Sequence, residues 1–391
     1  MSEDYDVIII GGGPGGLSAA IYAGRAELKT LLIEKGAYGG RINDTEEIKN
    51  FPGTAKDSGA HLMNTFKKHA DQYPSVQFKR TTVTGVEKNN SGFIVHTKRR
   101  GDYKAKIVVL DVGTKPRQLG IPGEEEFTSR GVSYCATCDA EFFKDKEIYV
   151  LGSGDQAIEE AEYLAKFATK VNIIVLHEPG HLDCNEVAAE EIQKNPKVNF
   201  VWNSTLKRIE GSENVEKIVI EDVNTGNLTT KATNGIFMFV GMTPMTEIVD
   251  GLVEMNHAGY IKVNQEQETS LAGLYAIGDC TDTFSRQVIT AAADGAKAII
   301  AGERYLSEKK RLESILNGQV QKVAFIFYNP YVANEVEKLT EVENKFSNYK
   351  IYKQDISRQS ILYRQLGINN TIAVALYESG RLVKVIKSDE I

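Results

Sequence analysis

The chain has 391 residues, 42% apolar and 25% charged, with 53 acidic against 46 basic side chains and a net charge of −7. That length predicts two or three domains, and the composition excludes a coiled coil, a collagen-like repeat or a long disordered tail. An acidic chain without a basic block argues against nucleic acid, and no apolar run reaches the roughly 20 residues of a membrane span.

The opening MSEDYDVIII has neither a basic region nor a small-residue cleavage site, so no signal peptide is expected. From Asp4, DYDVIIIGGGPGGLSAAIYAGRAELKTLLIEK reads as an apolar strand, a glycine turn, an amphipathic helix and a second apolar strand. That is the βαβ opening of a dinucleotide-binding domain. Its turn fits G-x-G-x-x-G at Gly11, Gly13 and Gly16. Glycines let the backbone approach a pyrophosphate, and the helix N-terminus offers free N–H groups and the positive end of its dipole. Glu34 ends the second strand, 23 positions after Gly11, where a carboxylate accepts the hydroxyls of an adenosine ribose.

GVSYCATCD places Cys135 and Cys138 two residues apart. Beside a nucleotide-binding unit, C-x-x-C reads as a redox pair or half of a zinc site. Zinc needs four ligands. The nearest are His177, His181 and Cys184, and Pro179-Gly180 breaks any helix that would align them. A dithiol–disulfide switch is the expectation, with one thiol activated at a helix start. Asp139 follows directly, either as proton donor or acceptor or as a first-turn acid. Cys184 and Cys280 complete the four cysteines, too few for a secreted disulfide scaffold, so a cytoplasmic protein is expected. Both are expected to be packed or partly exposed thiols.

From Lys146, KEIYVLGSGDQAIEEAEYLAKFATKVNIIVLH repeats the βαβ pattern. Its turn fits G-x-G-x-x-A with Gly152, Gly154 and Ala157, enclosing Asp155 and Gln156. Two such copies, each following a strand and opening a helix, are a strong signal. The position equivalent to Glu34 is Val175, which cannot bind a ribose; Glu178 lies three residues on.

Strand-like stretches with turn residues fill about Val198 to Val240. GLYAIGDC then ends a strand in Gly278-Asp279, and a long amphipathic helix runs to about Leu306. SEKKRLESILNGQ, from Ser307, reads as a charged helical end and a linker. Beyond Val320, strand VAFIFY, helix VANEVEKLTEVENKF, strand KIYKQD, helix SILYRQLG and TIAVALYESGRLVKVIK give βαβαββ, with ESG as a hairpin signal. Trp202, Tyr328, Tyr331, Tyr349 and Tyr352 are expected to pack, and His61, His69, His96 and His257 show no ligand spacing.

Taken together, GGGPGGLSAAIYAGRA, NFPG at Asn50, RQLGIPGEEEF, RGVSYCATCD, GSGDQAIEEAEYLAKFATKV, VGMTPMTEIV and GLYAIGDC…RQVITAAADG cover nearly all of residues 5–306. In these stretches the chain resembles the low-molecular-weight thioredoxin reductases. The resemblance implies an α/β protein with two Rossmann-like domains of parallel sheets, the second inserted in the first. It implies an FAD domain at 1–114 and 243–312, an inserted domain at 115–242 and a homodimer. In the family roles, Cys138 faces the flavin, Cys135 attacks the disulfide of a thioredoxin-like protein, and Asp139 protonates the leaving thiolate. Asp279 holds the ribityl or pyrophosphate region of FAD, with Arg286 and Gln287 beside it. Pro14, Gly40, Arg41, Asn50, Gly113, Gly278 and Val288 complete the implied FAD set.

Three departures matter. The family follows the second strand of the inserted domain with His-Arg-Arg and a further Arg, which grip the 2′-phosphate of NADPH. Here that stretch reads Leu176-His177-Glu178-Pro179-Gly180-His181, and no arginine lies between Arg130 and Arg208. NADPH is therefore not expected; NADH, a second FAD or nothing would occupy the Gly152 turn. The ferredoxin-dependent flavin thioredoxin reductases and the diflavin-linked disulfide oxidoreductases share this pattern, so a ferredoxin donor is one expectation. Arg41 replaces a usual Gln, and Asp111 replaces a small residue for no reason visible in the sequence.

Residues 320–391 resemble a thioredoxin-like domain whose cysteine positions fall on Val332 and Glu335 and whose cis-proline position is Ile372. No cysteine follows Cys280, so this unit cannot exchange disulfides. The expectation is an FAD-dependent disulfide reductase, with a redox-sensing flavoprotein that acts through partner binding as the alternative.

Overall fold

The computed structural model describes residues 4–45, 47–318, 321–358, 362, 363, 366–368 and 372–391. Strands β1 (Asp4–Ile10), β2 (Thr30–Glu34), β3 (Val76–Arg80), β4 (Val83–Lys88), β5 (Phe93–Thr97) and β6 (Tyr103–Leu110) form one sheet in the order β3-β2-β1-β6-β5-β4. β1 pairs parallel with both β2 and β6, which explains its near-continuous apolar run: a central parallel strand is covered on both faces. Helix α1 (Pro14–Arg25) follows the first glycine turn, and α2 (Gly59–Ala70) covers the same face.

The chain leaves this sheet through β7 (Thr114–Pro116). A second parallel sheet follows, built from β8 (Val132–Ser133), β9 (Glu147–Leu151), β10 (Lys170–Ile174), β11 (Val198–Val201) and, later, β15 (Ile236–Met238). Its order is β11-β10-β9-β15-β8. Helices α3 (Ala136–Asp139), α4 (Asp155–Leu164) and α5 (Glu186–Gln193) lie among its crossovers. An antiparallel sheet of β12 (Ser204–Gly211), β13 (Val215–Asp222) and β14 (Leu228–Ala232) covers the other face through Leu206, Ile209, Ile218 and Ile220. β16 (Met242–Pro244) pairs antiparallel with β7, so the entry and exit strands of this unit form one two-stranded ribbon.

β17 (Leu274–Ala276) returns to the first sheet and pairs parallel with the last residues of β6, beyond the stretch that β5 covers. The architecture is thus mixed α/β with two Rossmann-like units; the second sheet is parallel throughout, whereas β5 and β4 extend the first one antiparallel. Helix α6 (Val288–Leu316) then packs along α1.

The linker reading of Ser307 onward is corrected here. The helix continues to Leu316, and Leu312, Ile315 and Leu316 pack against the C-terminal core. That spacing of three and four residues is an apolar stripe, hidden in the sequence among five charged neighbours from Glu308 to Glu313.

The C-terminal sheet holds β18 (Lys322–Tyr328), β19 (Lys350–Asp355), β20 (Ala373–Glu378) and β21 (Arg381–Ile386), in the order β19-β18-β20-β21, with α7 (Ala333–Lys345) packed against it. β18 runs parallel to β19 and antiparallel to β20. Ser379 and Gly380 join β20 to β21 with φ of 48° and 77°. Two successive positive-φ residues are what a tight hairpin needs, so ESG turns as read. The proposed helix SILYRQLG lies largely outside the described residues. Trp202 stacks on Phe200 as expected, but Tyr331 is 86% exposed and packs against nothing that holds it.

Phe325 is fully buried, stacked on Tyr352 and edge-on to Tyr377. Phe325→Ala is expected to destabilise this sheet by about 3–5 kcal/mol. Calorimetry should show a new low-temperature transition while the flavin environment keeps its absorbance.

Candidate functional site

At the first turn, a Cβ on Gly16 would lie 2.1 Å from the Gly11 carbonyl oxygen, so only glycine lets α1 dock on β1. Gly13 caps α1 without a side-chain hydrogen bond of its own, and in the first turn the Gly16 N–H donates to Asp111 Oδ2 at 2.7 Å. Pro14 opens the helix, where its missing N–H costs nothing. Glu34 holds its carboxylate beside the turn: Oε2 accepts from the Gly12 N–H at 2.8 Å and Oε1 from the Gly36 N–H at 2.7 Å. Its remaining lone pairs can still accept hydroxyls.

Gly278 and Asp279 follow β17 in a single 3₁₀ turn. Burial pushes the Asp279 carboxyl up, against the pull of Arg286 and Arg41. The Arg286 guanidinium lies over the Tyr260 ring, 4.4 Å from its centre. Asn50 donates to Gln287 Oε1 at 3.0 Å, and Gln287 caps α6 just before Val288. Gly40 and Gly113 take left-handed backbone, with φ of 64° and 63°. Glu34 lies at this turn, a Cβ on Gly40 would stand 3.6 Å from the Gly13 Cα, and the uncapped glycine turn between strand and helix fits a flavin dinucleotide. Arg41 is exposed and its guanidinium contacts the Met242 sulfur at 3.3 Å, from one unit to the other.

Cys135 and Cys138 form a disulfide at the start of α3. Cys135 is the N-cap, and its sulfur accepts from the Cys138 N–H at 3.2 Å. Cys138 is the more exposed of the two. It lines an open cleft of about 360 Å³ with Asn43, Asp44, Thr45, Ser58 and Thr137. Thr137 donates to the Asp44 carbonyl at 2.6 Å, so the disulfide turn is tied to the flavin-side loop. An Asp44 carboxylate oxygen and both sulfurs lie within 4.8 Å of one another. Asp139 is half-buried at the end of α3, three residues past Ala136. Sequence reasoning missed Asp44, which sits 91 residues before Cys135 and carries no motif.

A second residue missed is Glu160 on α4. Its Oε2 is buried without a hydrogen-bond partner. Burial, then Glu159 and Asp44, push its carboxyl up to about 7, while Arg41 opposes them. The folded chain therefore keeps a proton that the unfolded chain releases near the ordinary carboxylate range. Stability should fall as pH rises through about 7. Glu160→Gln is expected to flatten that fall, a gain on the order of 2–3 kcal/mol above neutral pH, read from melting curves of both proteins between about pH 5 and pH 8.

The second turn is built like the first. A Cβ on Gly152, at φ of 126°, would lie 2.2 Å from the Phe239 oxygen, and Gly154 caps α4 with no side-chain bond. Ala157 is buried under the turn, and Asp155 accepts from the Asn185 N–H at 2.8 Å. Gln156, half-buried, lies beside it on α4. Val175 is fully buried and presents nothing to a ribose. Glu178 is exposed. Asp183 accepts from Ser153 Oγ at 2.6 Å and lies 3.1 Å from His177 Nε2.

The break at Pro179-Gly180 does not keep the histidines apart. A turn, with His181 N–H bonded to the Glu178 oxygen, folds the chain back and stacks the two rings 4.7 Å apart. His177, His181 and Asp183 present ligand atoms within 4.8 Å of one another. Among the described residues no fourth side chain joins them. Cys184 is partly buried against the core of the second sheet, and Cys280 is fully buried.

Residues 5–295 match the pyridine nucleotide-disulphide oxidoreductase family. A thioredoxin reductase of Peptoclostridium acidaminophilum is 41% identical over 314 residues, 78% of this chain and 98% of that protein. The chain belongs to the thioredoxin reductase family. Among solved structures, Lactococcus lactis thioredoxin reductase superposes with a TM-score of 0.74 at 38% identity, covering 78% of this chain and 99% of that one. Streptococcus pyogenes thioredoxin reductase, at 39% identity and the same coverage, gives 0.53. Family membership makes the chain a flavin-dependent disulfide oxidoreductase. No helix among the described residues is long and apolar enough to cross a membrane.

Proposed function

We propose that this oxidoreductase reduces a protein disulfide with electrons that reach its flavin from an electron-transfer protein of the ferredoxin kind, not from NADPH. The second turn carries this reading. Where a 2′-phosphate would need cations, the chain places Glu178 and the Asp183 carboxylate, and no arginine. The retained glycine cradle supports a dinucleotide there all the same, and a second FAD fits better than NADPH because it has no 2′-phosphate.

FAD held at the first turn would supply an electron pair. Cys138, the sulfur on the cleft, would receive it as the S–S bond breaks, and Cys135 would leave as a thiolate held by the Cys138 N–H. Cys135 then attacks the substrate disulfide, the departing thiolate takes a proton from Asp139, and Cys138 closes on Cys135 to release the reduced product. The β7–β16 ribbon is the hinge on which the inserted unit turns the pair from flavin to substrate.

The β19-β18-β20-β21 order supports a thioredoxin-like C-terminal unit. Its Glu335 is buried and accepts from the Asn329 N–H, which gives it a structural role where a thioredoxin has a cysteine. The unit acts by contact, docking a partner or the dimer mate. A homodimer in the cytoplasm completes the reading.

The test is the flavin-to-polypeptide ratio of purified protein after heat release, followed by anaerobic mixing with reductants. A ratio near two supports the second FAD, and a ratio near one removes it. Flavin bleaching by reduced ferredoxin but not by NADPH supports the protein donor; rapid bleaching by NADPH or NADH overturns it.

A further inference from the structure

Asp111 stands just past the end of β6, and its side chain enters the first glycine cradle from beneath. Its Oδ2 accepts from the Gly16 N–H at 2.7 Å. The same oxygen lies 2.8 Å from where a Gly13 Cβ would stand, and Oδ1 lies 2.7 Å and 3.2 Å from those of Gly15 and Gly278. All four glycines border the place where α1 offers its N–H groups. Asp111 is 9% exposed, and among the described residues it has no ion pair. The groups that face it are Glu34 from the end of β2, Asp279 from the turn after β17, and the Cys280 thiol; α1 contributes only glycine backbone. Arg286 and Arg41 lie beyond Asp279 and act on that residue.

An ionised Asp111 would set a third carboxylate charge beside a dianionic pyrophosphate. We propose that Asp111 is held as a neutral carboxylic acid in the flavin-bound protein and donates its hydrogen to the dinucleotide pyrophosphate, so that flavin binding takes up a proton. One oxygen then accepts the Gly16 N–H while the other carries the hydrogen toward the ligand, which matches the inventory of a protonated carboxyl. Burial pushes this carboxyl well above its ordinary range even before a ligand adds its charge, with Asp279 and Glu34 adding to the rise and the Gly16 and Gly13 N–H groups opposing it. The same residue explains why a small side chain is absent here: the acid bridges strand, helix and ligand.

The inference rests on FAD at the first turn and is tested on full-length chain freed of flavin. FAD dissociation constants are measured by fluorescence quenching from about pH 6 to pH 9. The wild type is expected to weaken by about tenfold per pH unit above the carboxyl's free-state pKa. Asp111→Asn, which donates without a proton to lose, should bind FAD with no such slope, and Asp111→Ala should be equally flat. A wild-type constant flat across the range, or an unchanged slope in Asp111→Asn, overturns the proposal. If the variants fail to fold, titration calorimetry of wild type in buffers of differing ionisation enthalpy decides it, by showing or failing to show net proton uptake at the steep end. Absence of FAD binding even at pH 6 would instead refute the flavin reading of this turn.

Discussion

Cys138→Ser is expected to keep its flavin and lose its turnover. In an anaerobic titration the wild type should take up one electron pair more than the variant, the pair that reduces the Cys135–Cys138 disulfide, whatever the number of flavins. Reduction of a disulfide substrate should fall by at least about 10³-fold, since the sulfurs work as a unit and no neighbouring thiol can replace one of them. Cys184 is in partial burial outside the cleft and Cys280 is sealed in the core, its thiol pushed up to about 12, chiefly by burial. Equal electron uptake by both proteins would sever the disulfide from the flavin and refute the redox assignment. Flavin absorbance in the oxidised variant is the control for folding, because the cradle at Gly11–Gly16 contains no atom of the cysteine turn.

A gain of function is expected at the second turn. Glu178→Arg with Pro179→Arg places two guanidinium groups where the His177 stretch now offers none. Each charge-assisted contact to a phosphate contributes about 1.5–3 kcal/mol. Two of them should tighten NADPH by about 10²- to 10⁴-fold, with removal of the Glu178 repulsion adding to it. NADH lacks the 2′-phosphate and should bind both proteins alike, which makes the NADPH/NADH ratio the readout. An unchanged ratio would mean that something other than the missing arginines, such as a dinucleotide already seated on Gly152, excludes NADPH.

Much of the site was legible because its chemistry is local. A glycine turn needs its residues within six positions, and the Cys135–Cys138 pair needs them within four. Both turns formed as read, each between a buried strand and an uncapped helix. The parts that were not legible depend on distance in sequence. Asp44 meets the disulfide across 91 positions, and Glu160 meets Arg41 and Asp44 across more than a hundred. His177 and His181 were set apart on the assumption that a helix must align them, whereas a turn through Pro179-Gly180 does so.

By itself, the sequence determined the two βαβ units, the redox pair and the loss of the phosphate-gripping arginines. Each is a statement about residue type at short spacing, and backbone sterics and periodicity act at that range. Only the tertiary structure decided that Asp111 lies inside the glycine cradle and that α6 runs on into the C-terminal core. Only there does the disulfide turn prove to be anchored on the Asp44 loop. Burial and the approach of segments far apart in the chain are properties of the packed molecule. A carboxylate that reads as an ordinary surface acid in sequence becomes an unusual one when folding removes its water.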